Sequence, residues 1–301
     1  LVVPMVLWGF IKPEHGSNAL VFQLIMLGFG LAMAAVMFFS TFFYEEKHFQ
    51  QEEEQMPFFK SLVECFTNRS FVVFEVISFT IIYCQTSLML GLNYYLSEFE
   101  MSDTLLYAAL GVGILVGIFF FINMRDRLGV KKCTMIMAGV FSVSCFLILA
   151  FGHSTIPTMI GAFGFGIGFA GGMYMIPLMN GDVVDMDEHR TGLRREGMYA
   201  GVNSFITKPA ISIANSAFLW FLGRYNYNFD GLAGTQSAQA ETGILMGWVL
   251  IPAILLAISF ASLFLYPLAG ESWEKIKNQL ALMHVEKEKK MLAEKGIKYE
   301  G

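Results

Sequence analysis

Apolar positions in this chain come in long unbroken runs separated by short polar stretches. A run of about 20 residues, rising 1.5 Å per residue as a helix, matches the ~30 Å hydrocarbon core of a bilayer. Such runs occupy residues 19–44, 71–96, 104–124, 133–151, 155–180, 198–222 and 242–268, each predicted as a membrane-spanning helix. A further apolar piece, 1–11, reads as the tail of another span. The chain opens on Leu1 in the middle of that piece, with no basic leader region or cleavage site, so no signal peptide is expected. The sequence reads as lacking an N-terminal part.

Composition agrees with the pattern. Hydrophobic residues make up 55% and charged residues 15% of the 301 positions, with a mean hydropathy of +0.55, which excludes an ordinary soluble domain. The expected fold class is an all-α polytopic membrane protein inserted in a lipid bilayer. The net charge of −5 says little, because the placement of the charges matters more than their sum. Of the 20 Lys and Arg, 17 fall in stretches on one side of the spans, including Lys60, Arg125, Lys132, Arg190 and the tail after 268, against Lys12 and Arg224 on the other. The positive-inside rule makes the first side cytoplasmic, and a multi-pass cell-membrane location follows. The run EEKHFQQEEEQ and the amphipathic PFFKSLVECF after it then form a cytoplasmic linker over 45–70, the second of them lying along the interface. The tail, 269–301, is expected to be an exposed helix with a frayed end.

Two features of the runs bear on motion. Gly164, Gly168 and Gly172 fall four apart, as do Gly113 and Gly117, and small residues at that spacing let helices approach closely. Pro177, Pro209 and Pro252 each interrupt a span, and in lipid a break survives only where protein or a wet cavity satisfies the freed carbonyl.

Charge inside the runs is the sharpest signal. Lys208 lies ten residues into the run 198–222, about 15 Å deep and near the midplane. An unpaired ammonium there costs at least ~2.5 kcal/mol, so it should face the bundle interior and find a carboxylate or water. Ser204, Ser212 and Asn215 share its helical face with Asn203 and Thr207 beside them, a polar stripe expected to line a substrate or ion pathway. Tyr174, Asn93 and Gln85 are further pathway candidates, whereas Glu75 sits near a span's end, where its carboxylate should reach water.

The polar stretch that precedes Lys208 carries Asp182, Asp185, Glu188, Arg194 and Glu196, read as a cytoplasmic loop whose acids and arginines can pair when that side closes. Taken with Lys208 twelve residues beyond Glu196, this pattern resembles the loop and penultimate helix of the glycoside-pentoside-hexuronide cation symporters, the melibiose permease group of the major facilitator superfamily. FFKSLVECFTNRSF before a span, DRLGVKK from Asp126 and Arg127 onward, and YPLAGESWEKI at the last exit are similar to that family's motifs in the same order.

The resemblance implies a twelve-helix protein in two bundles, of which this chain holds the end of the first (1–44), the linker (45–70), the complete second six-helix bundle (71–268) and the tail. It further implies cation-coupled symport of a sugar or related small polar solute by alternating access, with Na+ or H+ as coupling ion and no other cofactor. Lys208 then belongs to the central site, and Asp182, Asp185, Glu188, Arg194, Glu196, Asp126 and Arg127 to a cytoplasmic charge network. Arg195 as a second arginine and Pro209 directly after the lysine depart from the family's pattern. A lysolipid carrier of the same fold is the alternative.

An integral membrane transferase would need clustered His, Asp or Ser, and His15, His48, His153, His189 and His284 are scattered. No phosphate loop or zinc signature occurs, and Cys65, Cys84, Cys133 and Cys145 lack metal-ligand spacing, so packing thiols and no metal are expected. The expected partners are the solute, the coupling cation and the bilayer, with no nucleic acid, and the expected state is a monomer.

Overall fold

The computed structural model describes residues 19–43, 57–99 and 101–294. The first part of the linker, 45–56, and the run 1–11 lie outside the described residues. The chain divides into two units, 1–50 and 51–301. In the first, α1 (Ala19–Phe42) has no charged residue along its 24 positions.

The second unit holds α2 (Phe58–Thr67), α3 (Arg69–Glu98), α4 (Asp103–Phe151), α5 (Thr155–Thr191), α6 (Glu196–Arg224), α7 (Ala238–Leu245), α8 (Ile251–Ser262) and α9 (Gly270–Glu294). Among the described residues there is no strand. Five segments of this unit are long and apolar enough to cross a membrane: α3, α4, α5, α6 and the stretch Ala238–Leu265 that joins α7 to α8.

At 49 residues α4 is roughly 70 Å long, more than twice the hydrocarbon thickness. It contains the two spans predicted at 104–124 and 133–151. The polar stretch between them stays helical except at Gly129, whose φ of 77° and ψ of 163° turn the chain between two arms. A Cβ would strain that conformation, which is why glycine stands there.

Helix α5 packs across both arms of α4, while α3 packs mainly on α6 and α8. The approach of α5 to the first arm is a backbone contact. A Cβ on Gly113 would overlap the Phe163 carbonyl, and one on Gly166 would overlap that of Leu110. The expected glycine stripe serves two neighbours: Gly164 and Gly168 meet Ser144 and Phe141 of the second arm, and Gly172 meets Ile81 of α3.

The prolines interrupt less than expected. α5 continues through Pro177 and α6 through Pro209. Pro252 sits at the start of α8, directly after a π-helical turn, Met246–Leu250. Because a proline has no N–H, the carbonyl four residues back, Trp248, loses its helical donor. The hydroxyl of Ser87 on α3 donates to that oxygen at 2.7 Å, so a neighbouring span supplies the missing bond. Ser142 to the Ala253 carbonyl (2.9 Å) and Ser259 to Thr80 (2.9 Å) add polar ties across the same bundle.

Candidate functional site

The acids expected in a loop are helical. α5 runs on to Thr191 and ends at Gly192, whose left-handed φ of 74° lets its N–H reach the Glu188 carbonyl at 2.8 Å. Asp182, Asp185 and Glu188 are thus three residues apart on successive turns, close to one helical face. Three acids so placed would repel one another in an isolated helix. Here the tail partners two of them: Lys277 Nζ lies 2.5 Å from Asp182 Oδ1, and His284 Nε2 and Lys287 Nζ lie 2.8 and 2.9 Å from the two oxygens of Glu188.

Lys277, His284 and Lys287 share one face of α9 with Trp273 and Leu280, which are buried. The tail is therefore a docked helix rather than the exposed one expected, and its basic residues are part of the network that sequence reasoning missed. Their spacing of seven and then three residues was the available signal.

Arg194 joins the same cluster, donating to Glu188 (3.0 Å), Asp185 (3.4 Å) and Glu196 (2.6 Å). Burial alone works against charge on this guanidinium. The bond to Glu196, with help from Glu188 and Asp185, outweighs it and holds the group above its ordinary pKa.

Arg195 forms a second cluster. Its Nε and Nη2 make a two-pronged contact with Asp187 at 2.8 and 2.6 Å, and Nη1 reaches Glu64 of α2 at 2.7 Å. The Asp187 bond, opposed by burial and aided by Glu64, raises the arginine's pKa further. With 5% of its surface exposed, Arg195 ties α2, α5 and α6 together.

Asp126 and Arg127 are not joined to either cluster. Asp126 pairs with the adjacent Arg125 at 3.0 Å, and Arg127 is exposed. Both line a cleft of about 870 Å³ at the α4 kink, which Asp182, Trp273 and Lys277 also line.

Lys208 lies differently from expectation. The buried residues of α6 are Tyr199, Val202, Thr207, Ala210, Ala214, Phe218 and Leu222. At 100° per residue Lys208 falls on the far side from Ala210, so it points away from this bundle's interior and is exposed. It has no ion pair or hydrogen bond among the described residues. Ser204 and Ser212 are exposed on that side too, and Asn215 is half-buried.

Asn203, also half-buried, accepts a bond from Ser78 of α3 at 2.9 Å. The remaining pathway candidates are dispersed. Gln85 contacts Met173 (3.1 Å), Asn93 bonds its own helix at Met89 (3.0 Å), and Tyr174 accepts from Arg125 (3.5 Å). Glu75, expected near water, is 4% exposed, and neither carboxylate oxygen has a hydrogen-bond partner.

A family model described as MFS/sugar transport protein matches residues 1–270. Among curated relatives, a protein of Escherichia coli strain K12 assigned by name as a glycoside/cation symporter, YagG, is 32% identical over 103 residues. That match covers 34% of this chain and 22% of the relative. The isoprimeverose transporter of Lactiplantibacillus pentosus is 31% identical over 147 residues, 46% of this chain and 29% of that protein. The chain thus matches less than a third of the length of either.

Proposed function

Because the chain belongs to the family of MFS/sugar transport proteins, we propose that it forms part of a carrier for a sugar or glycoside, coupled to a cation and working by alternating access. The relatives' names, a glycoside/cation symporter and an isoprimeverose transporter, support a glycoside as solute. The observation that carries the reading is Lys208. An ammonium at mid-membrane depth on the outer face of a bundle cannot be left to lipid, where it costs ~2.5 kcal/mol or more. Ser204, Ser212 and Asn215 on the same side extend it into a polar strip more than two helical turns long. Such a strip suits the wall of a hydrated pathway closed on its other side by a second bundle.

The clusters around Glu188 and Asp187 lie at the opposite end of α6 from Arg224, the end that the positive-inside rule makes cytoplasmic. They hold α9 and α2 against the bundle there.

The test is uptake into membrane vesicles. Labelled glycosides should enter in response to an imposed Na+ or H+ gradient, and Lys208→Ala should reduce entry to the level of empty vesicles. Undiminished glycoside uptake by that variant would remove Lys208 from the pathway. Uptake of labelled lysophospholipid in place of glycosides would overturn the solute class.

A further inference from the structure

Glu75 of α3 is, among the described residues, a buried acid that the salt-bridge clusters leave out and whose two carboxylate oxygens both lack a hydrogen-bond partner. Phe71, one turn before Glu75, packs its ring on Tyr199 at 5.1 Å between centroids, and Ser78, one turn after, bonds Asn203 at 2.9 Å. Glu75 therefore lies in the seam between α3 and α6, level with the turn 199–203.

Charged groups occur around this point, but they are engaged with one another. On α2, Cys65 is in electrostatic contact with Glu75, and its thiol is pushed up to about 12 by burial and then by Asp187, so it stays neutral. Glu64 of α2 and Asp187 of α5 are both held by Arg195. On α6 the Tyr199 hydroxyl accepts from Asn68 at 3.2 Å. The α8 side offers Ser259, bonded to Thr80, and has no titratable residue.

A carboxylate with neither a counter-ion nor a hydrogen-bond donor in such surroundings takes up a proton instead. A metal cation would need several converging oxygens, and the nearest side-chain hydroxyl on this helix face, Ser78, is committed to Asn203. Asn203 in turn stands on α6 about 7.5 Å along the axis from the level of Lys208.

We propose that Glu75 is a proton-binding site of the carrier, loaded while the α3–α6 seam is closed and emptied when the seam opens to water. On opening, the carboxyl O–H bond breaks, the proton passes to water, and the negative charge remains on Glu75. Reloading from the opposite side returns one proton per cycle. This rests on the reading of the chain as a cation-coupled carrier and makes the cation H+.

Infrared difference spectroscopy of the protein in liposomes reads the site without any solute. A protonated-carboxyl C=O band should be present at neutral pH, disappear under alkaline conditions, be absent in Glu75→Gln and return at a shifted frequency in Glu75→Asp. The same band in wild type and Glu75→Gln would overturn the assignment. So would loss of the band on adding Na+ at constant pH, which would make the site one for a metal cation. If Glu75→Gln fails to fold, the shift in Glu75→Asp alone decides, and an unshifted band rejects the site. Glycoside uptake insensitive to a pH gradient, with the band intact, would overturn its coupling role. Absence of glycoside uptake under every gradient, with the band intact, would instead defeat the transport reading.

Discussion

The two ends of one stretch of α6 treat positive charge in opposite ways. Arg195, at its start, is buried and uses its planar donors on Asp187 and Glu64. Lys208, thirteen positions on, is exposed and has no partner among the described residues. A guanidinium can satisfy two carboxylates at fixed angles and so staples three helices, whereas an ammonium is a compact charge that a hydrated path can accommodate. A charge that is saturated by its own bundle contributes to stability. One that is left open on the bundle's outer face is available to something else.

Substitutions sharpen this contrast when ranked by their effect on thermal unfolding in detergent. Arg195→Ala should be the most damaging, at about 3–5 kcal/mol, because it strands Asp187 as a buried charge. Arg195→Lys should recover only part of that, since one ammonium cannot reproduce the two-pronged contact. Unchanged melting of the alanine variant would show that the cluster holds nothing together.

Gly113→Ala should follow with about 1–3 kcal/mol, the cost of overpacking a backbone contact. Lys287→Ala should lose about 1 kcal/mol or less, because Glu188 keeps Arg194 and His284 and the lysine is partly solvated. Lys208→Ala should shift stability by no more than about 0.5 kcal/mol while abolishing uptake. A large loss of stability in that variant would collapse the contrast, since Lys208 would then be structural.

A chemical probe adds a last, smaller readout. With its thiol pushed up to about 12 by burial, Cys65 remains protonated from neutral through mildly alkaline pH and forms thiolate only as pH climbs toward that value. Maleimide labelling of the native protein should accordingly be slow at neutral pH and should speed up on denaturation. Rapid labelling of the native state would mean that α2 does not stay packed beside Arg195.

Much of this molecule was legible in the order of its residues. Apolar run length is a local property set against a fixed bilayer thickness, so the spans at 71–96, 155–180 and 198–222 fall within α3, α5 and α6. The depth of Lys208 and the polar stripe beside it follow from helical rise and period alone.

Other features depended on neighbours distant in the sequence. Asp182, Asp185 and Glu188 look like a loop until Lys277, His284 and Lys287 arrive from α9, almost 100 positions away, to partner Asp182 and Glu188, and Arg194 pairs with Asp185. The break at Pro252 closes only because Ser87 faces Trp248. Glu75 looks close to water by its position in the chain, but Phe71, Tyr199 and Asn203 enclose the seam in which it lies. The face that Lys208 presents was fixed by which side of α6 packs on α3. Periodicity places side chains on a helix, but only packing decides which side is inside, because burial and ion pairing are properties of the partners and not of the residue.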